Sequence, residues 1–265
     1  MNRTPPLLEM RDAEIWRGDT RVFESLSLTI AHGESLAIVG PNGAGKSTLA
    51  KVLARDIYPV RRAGSFVRLN GMSRFSIWDY RRHIGIVADD ALDLLPPGTT
   101  VRAAVLSAWP QTAGLRGVNA VFTAAETGRV DELLQTLGLT ALTGRRIDSL
   151  STGQYRRVML ARSLVQKPAA LVLDEPMHGL DLAALCDYQQ TLRTLIRGGT
   201  AVVLITHQLH DIPPEIGRVV ALAGGVIRHD GRPAEVLTSA RLSALYARAI
   251  DVSRVGGYFV ATPAG

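Results

Sequence analysis

Two kinds of apolar pattern occur along the chain. Residues 7–16 (LLEMRDAEIW) and 21–30 (RVFESLSLTI) alternate apolar with polar positions, as half-buried antiparallel strands do, and Gly18-Asp19 between them predicts a turn. The stretch SFVRLNG is a candidate third strand beside them. The alternation therefore predicts an antiparallel β-sheet near the N-terminus.

Three other apolar runs are continuous. SLAIVG (35–40), ALVLDEP (170–176) and AVVLITH (201–207) each end in glycine or polar residues, a pattern typical of parallel strands buried on both faces. Helical segments separate these runs. The arrangement predicts an α/β fold in which functional groups lie at the carboxyl ends of the strands.

The middle of the chain has a helical period. VRAAVLSAW, RVDELLQTLGL and GQYRRVMLARSLV predict a mostly helical insert. Further on, RVVALAGGVIRHDG predicts a strand pair, and RLSALYARA predicts a short helix before a variable tail. We expect one domain with a core at about 7–91 and 167–235, a helical insert at about 92–166 and a C-terminal extension at 236–265.

Composition narrows the class of protein. The 265 residues contain no run near the roughly 18 apolar residues of a membrane-spanning helix. The N-terminal stretch MNRTPPLLEMRDAE has no apolar core of signal-peptide length, and the lone Cys186 cannot form an internal disulfide. We therefore expect a cytoplasmic protein. The net charge of +6 is spread over scattered arginine pairs, which indicates a solvated basic surface or a weak preference for an acidic partner or membrane face.

A glycine-rich stretch, GPNGAGKST, follows the first continuous strand and opens a helical segment. It fits the phosphate-loop pattern G-x-x-x-x-G-K-[ST], in which backbone N–H groups and the helix dipole hold phosphate oxygens. A turn that only ends a strand is the alternative. Lys46 is placed for the β- and γ-phosphates, Ser47 for Mg²⁺ and Thr48 for the α-phosphate. The predicted nucleotide contacts are Gly40, Pro41, Asn42, Gly43, Ala44, Gly45, Lys46, Ser47 and Thr48.

Two adjacent carboxylates end the second continuous strand, LVLDEP. Asp174 is a candidate to hold Mg²⁺ through its water shell, and Glu175 is a candidate to orient and polarise the attacking water. A strand that simply leaves the sheet through a turn is the alternative.

The segment LSTGQ (150–154) opens a predicted helix, with Ser151 as a candidate N-cap. Together with the phosphate loop and Asp174-Glu175, it closely resembles the signature motif of the ATP-binding cassette (ABC) family over roughly residues 7–235. The resemblance implies a P-loop NTPase cassette with a parallel core sheet, an N-terminal antiparallel β subdomain and an inserted helical subdomain. It also implies that the chain is an ATPase that binds ATP and Mg²⁺.

In this family two cassettes meet head to tail, and each ATP lies between one phosphate loop and the signature helix of the other cassette. The resemblance thus assigns Ser151, Gly153 and Gln154 to the nucleotide held by a second copy, although Thr152 replaces the glycine that is usual there. Asp181 in HGLD resembles a dimer-interface residue.

Three positions complete the resemblance. Trp16 matches an aromatic residue that stacks on adenine, although an isolated tryptophan is more often a core residue. His207 matches a histidine that senses the γ-phosphate, so the implied catalytic set is Glu175, His207 and Lys46. Asp89 stands where the family usually has a glutamine that touches Mg²⁺. Either Asp89 or Asp90 ligates the metal and alters the cycle, or the loop has shifted in register.

One cassette without sustained heptads resembles a transporter ATPase more than the family members that act on DNA or ribosomes. ITHQLHDIPPEI and the C-terminal segment are similar to ATPases of the metal-chelate, cobalamin and molybdate importer type. The implied protein dimerises on ATP, drives transport through separate transmembrane permease subunits, lies peripherally on the inner membrane face and needs no nucleic acid. A stand-alone cytoplasmic cassette in regulation or nucleic-acid or ribosome-linked work, and a slow ATP-dependent switch, remain open alternatives.

Overall fold

An antiparallel sheet forms the N-terminal part of the computed structural model, which describes residues 4–87, 95–109 and 122–265. Gly18 takes a left-handed φ of 58° in the turn between its first two strands. The predicted sheet and its third strand are confirmed. Its strands, in the order β2-β1-β4, are β1 (Leu8–Arg17), β2 (Thr20–Ile30) and β4 (Phe66–Leu69).

A larger sheet forms the centre of the molecule. Its order is β5-β6-β7-β3-β8-β9, with every pair parallel except β8 and β9. The predicted α/β class with a parallel core sheet is therefore confirmed. The strands are β3 (Leu36–Val39), β5 (Ile84–Val87), β6 (Ala170–Asp174), β7 (Ala201–Ile205), β8 (Arg218–Ala223) and β9 (Val226–Gly231).

Helices surround this sheet, and the stretch between β5 and β6 is helical where it is described. In the described part of the chain, none of the helices has the length and apolar character needed to cross a membrane. The helices are α1 (Lys46–Ala54), α2 (Ile77–His83), α3 (Val101–Leu106), α4 (Ala124–Thr136), α5 (Thr152–Leu164), α6 (Leu182–Arg197), α7 (Pro233–Val236) and α8 (Ser239–Tyr246).

Strand β3 shows why its sequence is continuously apolar. Ala37 and Val39 belong to the core that includes α4, α5 and α6, whereas Leu36 and Ile38 belong to the core shared with α1 and the N-terminal sheet. Successive side chains of a strand point to opposite faces, so each face must be apolar when both are covered.

The carboxyl ends of three neighbouring strands lie at one edge of the sheet. Across the ladder, Asp174 of β6 pairs with Ile205 of β7, which pairs with Ile38 of β3. The segments that follow these strands are the phosphate loop, Glu175 and His207. Parallel pairing in this register therefore brings together residues far apart in sequence.

The C-terminal segment corrects one expectation. Residues after α8 form a two-stranded antiparallel hairpin, β10 (Ile250–Val255) and β11 (Tyr258–Pro263), rather than a variable tail. Gly256 and Gly257, with φ of 59° and 90°, form its turn. The dipeptide Gly-Gly between apolar runs was the available signal.

A buried hydroxyl secures the C-terminal end of α1, the helix that opens at the phosphate loop. Tyr80 of α2 is fully buried, and its hydroxyl donates to the carbonyl of Leu53 at 2.6 Å. Burial raises the pKa of Tyr80, so the hydroxyl stays a donor. This hydrogen bond gives a donor to a carbonyl in the last turn of α1, where the helix itself has no further N–H groups to offer.

We expect Tyr80→Phe to lower the free energy of unfolding by about 1–3 kcal/mol, because it leaves the buried Leu53 carbonyl without its partner. Chemical denaturation measures this difference. Tyr58→Phe is the matched control, since the Tyr58 side chain is 57% exposed. Equal stability of the Tyr80→Phe and wild-type proteins would contradict the role of this bond.

Candidate functional site

Two glycines of the phosphate loop lie where any side chain would clash with a neighbouring segment. A Cβ on Gly40 would lie 2.2 Å from the carbonyl oxygen of Leu222, and one on Gly45 would lie 2.6 Å from the ring of Phe23. Gly45 is also the N-cap of α1, with φ of 101° and no side-chain cap in the described structure. The first-turn N–H groups of α1 thus lack a capping side chain, which suits them to an anion.

Lys46 lies buried within this loop, only 6% exposed. Its ammonium group donates to the carbonyls of Gly40 at 2.8 Å and Pro41 at 3.2 Å. Burial lowers the pKa of Lys46, while attraction to Glu175 and Asp174 opposes that shift. A positive charge therefore lies near both predicted carboxylates. Ser47 is exposed beside it, whereas Thr48 is buried.

Glu175 has an uncommon backbone conformation directly after β6. Its φ is 46°, in the left-handed region that non-glycine residues seldom adopt. Its N–H donates to the carbonyl of Ile205 at the end of β7, at 2.8 Å. Such strain persists where the surrounding structure enforces it, often at functional sites. The β7 bond enforces it here, and it turns the chain at Glu175 towards the segment that carries His207.

His207 is paired with Glu175. Its Nδ1 lies 2.9 Å from Glu175 Oε1, and about one third of each side chain is exposed. Below it, the Thr206 hydroxyl donates to buried Asp211 at 2.6 Å and accepts from the N–H of Gln208 at 3.0 Å. Burial raises the pKa of Asp211, although the hydrogen bond from Thr206 opposes this. The Thr206–Asp211 pair fixes the turn that presents His207.

The segment LSTGQ begins α5 as a capping box. Ser151 Oγ accepts from the N–H of Gln154 at 3.3 Å, and Gln154 Oε1 accepts from the N–H of Ser151 at 3.1 Å. A Cβ on Gly153 would lie 2.7 Å from Cβ of Ala184 in α6. Asp181 caps α6 by accepting from the N–H of Ala184 at 2.8 Å. The predicted signature residues and the predicted dimer-interface residue Asp181 thus lie at the starts of two contacting helices.

Trp16 lies on the surface rather than in the core. Its side chain is 41% exposed, and its indole N–H donates to Glu14 at 2.8 Å. Glu14 is held in turn by Arg62 at 3.1 Å. The indole N–H is therefore held by a hydrogen bond while part of the side chain stays exposed, which the core alternative does not predict.

The arrangement fits Mg²⁺ and a nucleoside triphosphate. The glycines of the loop allow close backbone approach, and a buried ammonium lies beside N–H groups of a helix start. The Ser47 hydroxyl and the Asp174 carboxylate supply oxygen donors, which Mg²⁺ prefers. Asp89 and Asp90 lie outside the described residues, so their predicted contribution to the metal stays a prediction.

Some supporting residues carried no signal in the sequence. Glu14 and Arg62 are separated by 48 positions, and the buried Thr206–Asp211 pair looks like ordinary loop residues. Their roles come from three-dimensional neighbours. The strand-end position of His207, in contrast, was readable from the apolar run before it.

Comparison with known proteins places the chain in a family. A family model described as "ABC transporter" matches residues 23–178. The chain is 36% identical over 224 residues to the cobalt import ATP-binding protein CbiO of Rhodobacter capsulatus, covering 83% of this chain and 76% of the relative. It is 34% identical to the phosphonates import ATP-binding protein PhnC of Anaeromyxobacter dehalogenans over 91% of this chain.

The solved structure of cbiO1 from Clostridium perfringens, part of the ABC transporter complex cbiONQ, superposes with a TM-score of 0.73 at 26% identity. The match covers 91% of this chain and 94% of that one. The chain spans about half of the PhnC relative, 48% of its length. The family prediction is confirmed: this chain belongs to the ABC transporter family.

Proposed function

We propose that the chain is the ATP-binding and ATP-hydrolysing subunit of an ABC transporter. The observation that carries this proposal is the convergence of Lys46, Asp174, Glu175 and His207 at one edge of the parallel sheet, beside a helix start without a side-chain cap. The import ATP-binding proteins among its relatives support the same function.

The phosphate loop binds the triphosphate of ATP through the backbone N–H groups of the non-proline residues of 40–48 and the ammonium of Lys46. Lys46 exchanges its bonds to the Gly40 and Pro41 carbonyls for phosphate oxygens when ATP enters. Ser47 and Asp174 would hold Mg²⁺. When bound, the ion would offset the negative charge that develops during phosphoryl transfer.

Glu175 acts on the attacking water. Its carboxylate accepts a proton from the water and orients it towards the γ-phosphate, as a general base does. His207 holds that carboxylate in place through a hydrogen bond of 2.9 Å between its Nδ1 and Glu175 Oε1, and it reaches the γ-phosphate side of the site. The strained φ of Glu175 and the hydrogen bond from its N–H to Ile205 hold the Glu175 and His207 side chains in their relative positions.

A second copy of the chain completes each site. Ser151 and Gly153 of that copy contact the γ-phosphate through the start of α5, with Gln154 capping the helix from within. Ser151 and Thr152 are exposed in the single chain, so they are accessible to a nucleotide held by another copy. Asp181, which caps the adjacent helix α6, lies at the interface between the copies.

ATP-driven closure of this dimer moves separate transmembrane subunits between two states, and hydrolysis reopens it. A ligand shifts such an equilibrium only through its different affinity for the two states, and ATP contacts both copies only when they are closed.

The protein lies at the inner face of the membrane, attached to those transmembrane subunits. We also propose that the chain divides into a core with the β subdomain, a helical insert and a C-terminal extension at the bounds expected from the sequence.

The experiment that tests this function is purification of the native complex. The protein is isolated from detergent-solubilised membranes of its host, and co-purifying chains are identified by mass spectrometry. We expect a multi-span membrane protein and Mg²⁺-dependent ATP hydrolysis in the complex. Recovery with ribosomes or nucleic acid, and without any membrane protein, would contradict the proposal.

Trp16 provides a prediction on nucleotide affinity. Because stacking of a base on an aromatic ring contributes about 1–3 kcal/mol, Trp16→Ala should raise the Kd for ATP about 5- to 150-fold. Trp16→Phe should retain most of the affinity. Isothermal titration calorimetry measures both, with Trp78→Ala as the control because Trp78 is similarly exposed, at 48%. An unchanged Kd for Trp16→Ala would remove Trp16 from the adenine site.

A further inference from the structure

Three potential metal ligands meet beside the proposed catalytic carboxylate. One ligand atom from each of Glu175, His178 and His207 lies within 4.8 Å of the other two. We propose that these residues form a site for a divalent transition-metal ion of the zinc and cobalt class, and that its occupation inhibits ATP hydrolysis. The inhibitory part rests on the proposed function, whereas ion binding does not.

Backbone geometry holds the three side chains in place. The N–H of His178 donates to the carbonyl of Glu175 at 3.1 Å, so the chain turns and brings His178 back beside Glu175. Glu175 is tied to β7 through Ile205, and the same strand leads directly to His207. The rings of His178 and His207 have centroids 6.2 Å apart and are tilted by 55°. The cluster therefore joins two segments that the sheet itself positions.

The donor set selects the class of metal. Two imidazole nitrogens and one carboxylate oxygen suit zinc and its neighbours in the transition series, whereas Mg²⁺ prefers oxygen ligands alone. Three protein ligands with a fourth position for water is a common zinc arrangement. Bond lengths of about 2.0–2.2 Å place tetrahedral ligand atoms about 3.3–3.5 Å apart. The three ligand atoms now lie within 4.8 Å of one another, so binding requires the side chains to adjust towards that geometry.

Charge and access also suit a cation. Glu175 and Asp174 bring two carboxylates to this edge of the sheet, while the Lys46 ammonium is directed onto the carbonyls of the phosphate loop. The Glu175 and His207 side chains are 31% and 32% exposed, and His178 is exposed. An ion thus reaches all three ligands from solvent, at the cost of the hydrogen bond between Glu175 and His207.

Inhibition follows from the identity of two ligands. A metal-bound Glu175 no longer accepts a proton from the attacking water, and a metal-bound His207 no longer holds Glu175. His178 is the one ligand without a proposed part in hydrolysis. Replacing His178 therefore removes a metal ligand without removing a residue that is proposed to act in hydrolysis.

Ion binding is measured first, without nucleotide. Tag-free protein cleared of metals with a chelator is titrated with Co²⁺, whose visible absorption reports nitrogen and carboxylate ligands in tetrahedral geometry, and Zn²⁺ is then added to displace it. We expect one Co²⁺ per wild-type chain. His178→Asn should weaken binding by at least the roughly 10- to 100-fold that loss of a group supporting a metal ligand causes. His32→Asn, at another exposed histidine, should bind as the wild type does.

Hydrolysis is measured second, at saturating Mg²⁺ and ATP, over increasing Zn²⁺. We expect wild-type turnover to fall, and His178→Asn to hydrolyse ATP at the wild-type rate but resist Zn²⁺ at least 10-fold better. Thermal unfolding of each variant checks that it is folded. Equal Co²⁺ binding, or equal Zn²⁺ sensitivity, in wild type and His178→Asn overturns the proposal. Failure of the wild type to hydrolyse ATP without Zn²⁺ contradicts the proposed function instead, and the Co²⁺ spectrum still decides the metal site.

Discussion

Replacement of Glu175 by glutamine should lower the steady-state rate of ATP hydrolysis by about 10²- to 10⁴-fold, the usual contribution of a positioned general base. The amide has nearly the same shape as the carboxylate but accepts no proton from water. Binding of ATP should survive, because the residues proposed to hold the triphosphate are those of the phosphate loop and Lys46. Coupled-enzyme assays give the rate, and calorimetry gives the Kd.

The matched control for this substitution is Glu132→Gln, an equally conservative change on the exposed face of α4. It should leave both turnover and the Kd for ATP unchanged. Normal turnover in Glu175→Gln would remove Glu175 from its assigned role. A loss of ATP binding in that variant would instead mean that Glu175 supports the phosphate loop.

Replacement of Lys46 by alanine should abolish hydrolysis at cellular ATP concentrations. A preorganised charge of this kind typically contributes about 10²- to 10³-fold to turnover. We expect affinity to fall as well, because Lys46 is proposed to bind the triphosphate. Its ammonium is buried against two loop carbonyls, so the substitution also removes a hydrogen-bond donor from the carbonyls of Gly40 and Pro41, although Pro41 still accepts from the N–H of Ala44. Calorimetry with ATP and a turnover assay measure the two effects.

Lys51→Ala on the exposed side of the same helix provides the control for this change. It removes an equal charge from α1 but lies away from the loop, so affinity and turnover should match the wild type. Thermal unfolding should show that Lys46→Ala remains folded. A folded Lys46→Ala protein with wild-type affinity and turnover would contradict the proposed phosphate site.

The parallel core was predictable because burial on both faces demands uninterrupted apolar residues. Ala37 and Ile38 face different cores, and neither position tolerates a polar side chain. The same reasoning located the polar residues after β3, β6 and β7, since parallel strands align their carboxyl ends. The phosphate loop, Asp174, Glu175 and His207 could therefore be placed at one edge from the sequence alone.

Contacts between distant surface residues could not be predicted in this way. Trp16 donates a hydrogen bond to Glu14, and Arg62 donates one to Glu14. Both depend on how β1 packs against the loop that carries Arg62, 48 positions after Glu14. The left-handed φ of Glu175 is also invisible in the sequence, because glutamate carries no preference for it. Such details follow from tertiary packing rather than from local propensity.

His178 illustrates a third kind of limit. Its spacing from Glu175 is short, yet the loop in which it lies has no helical or strand period that fixes the direction of its side chain. Only the turn closed by the His178 N–H and the adjacent end of β7 brings its imidazole near His207. A metal site built from a loop and a strand end thus becomes recognisable only in three dimensions.

ATP is proposed to join two copies of this chain, and the mass of the Glu175→Gln protein in solution tests this most directly. Light scattering after size exclusion gives that mass with Mg²⁺ and either ATP or ADP. With ADP we expect the single chain of 28.5 kDa. With saturating ATP we expect twice the 28.5 kDa of one chain, because slowed hydrolysis preserves the closed dimer. A single-chain mass at saturating ATP, in a protein shown by calorimetry to bind it, would contradict the account.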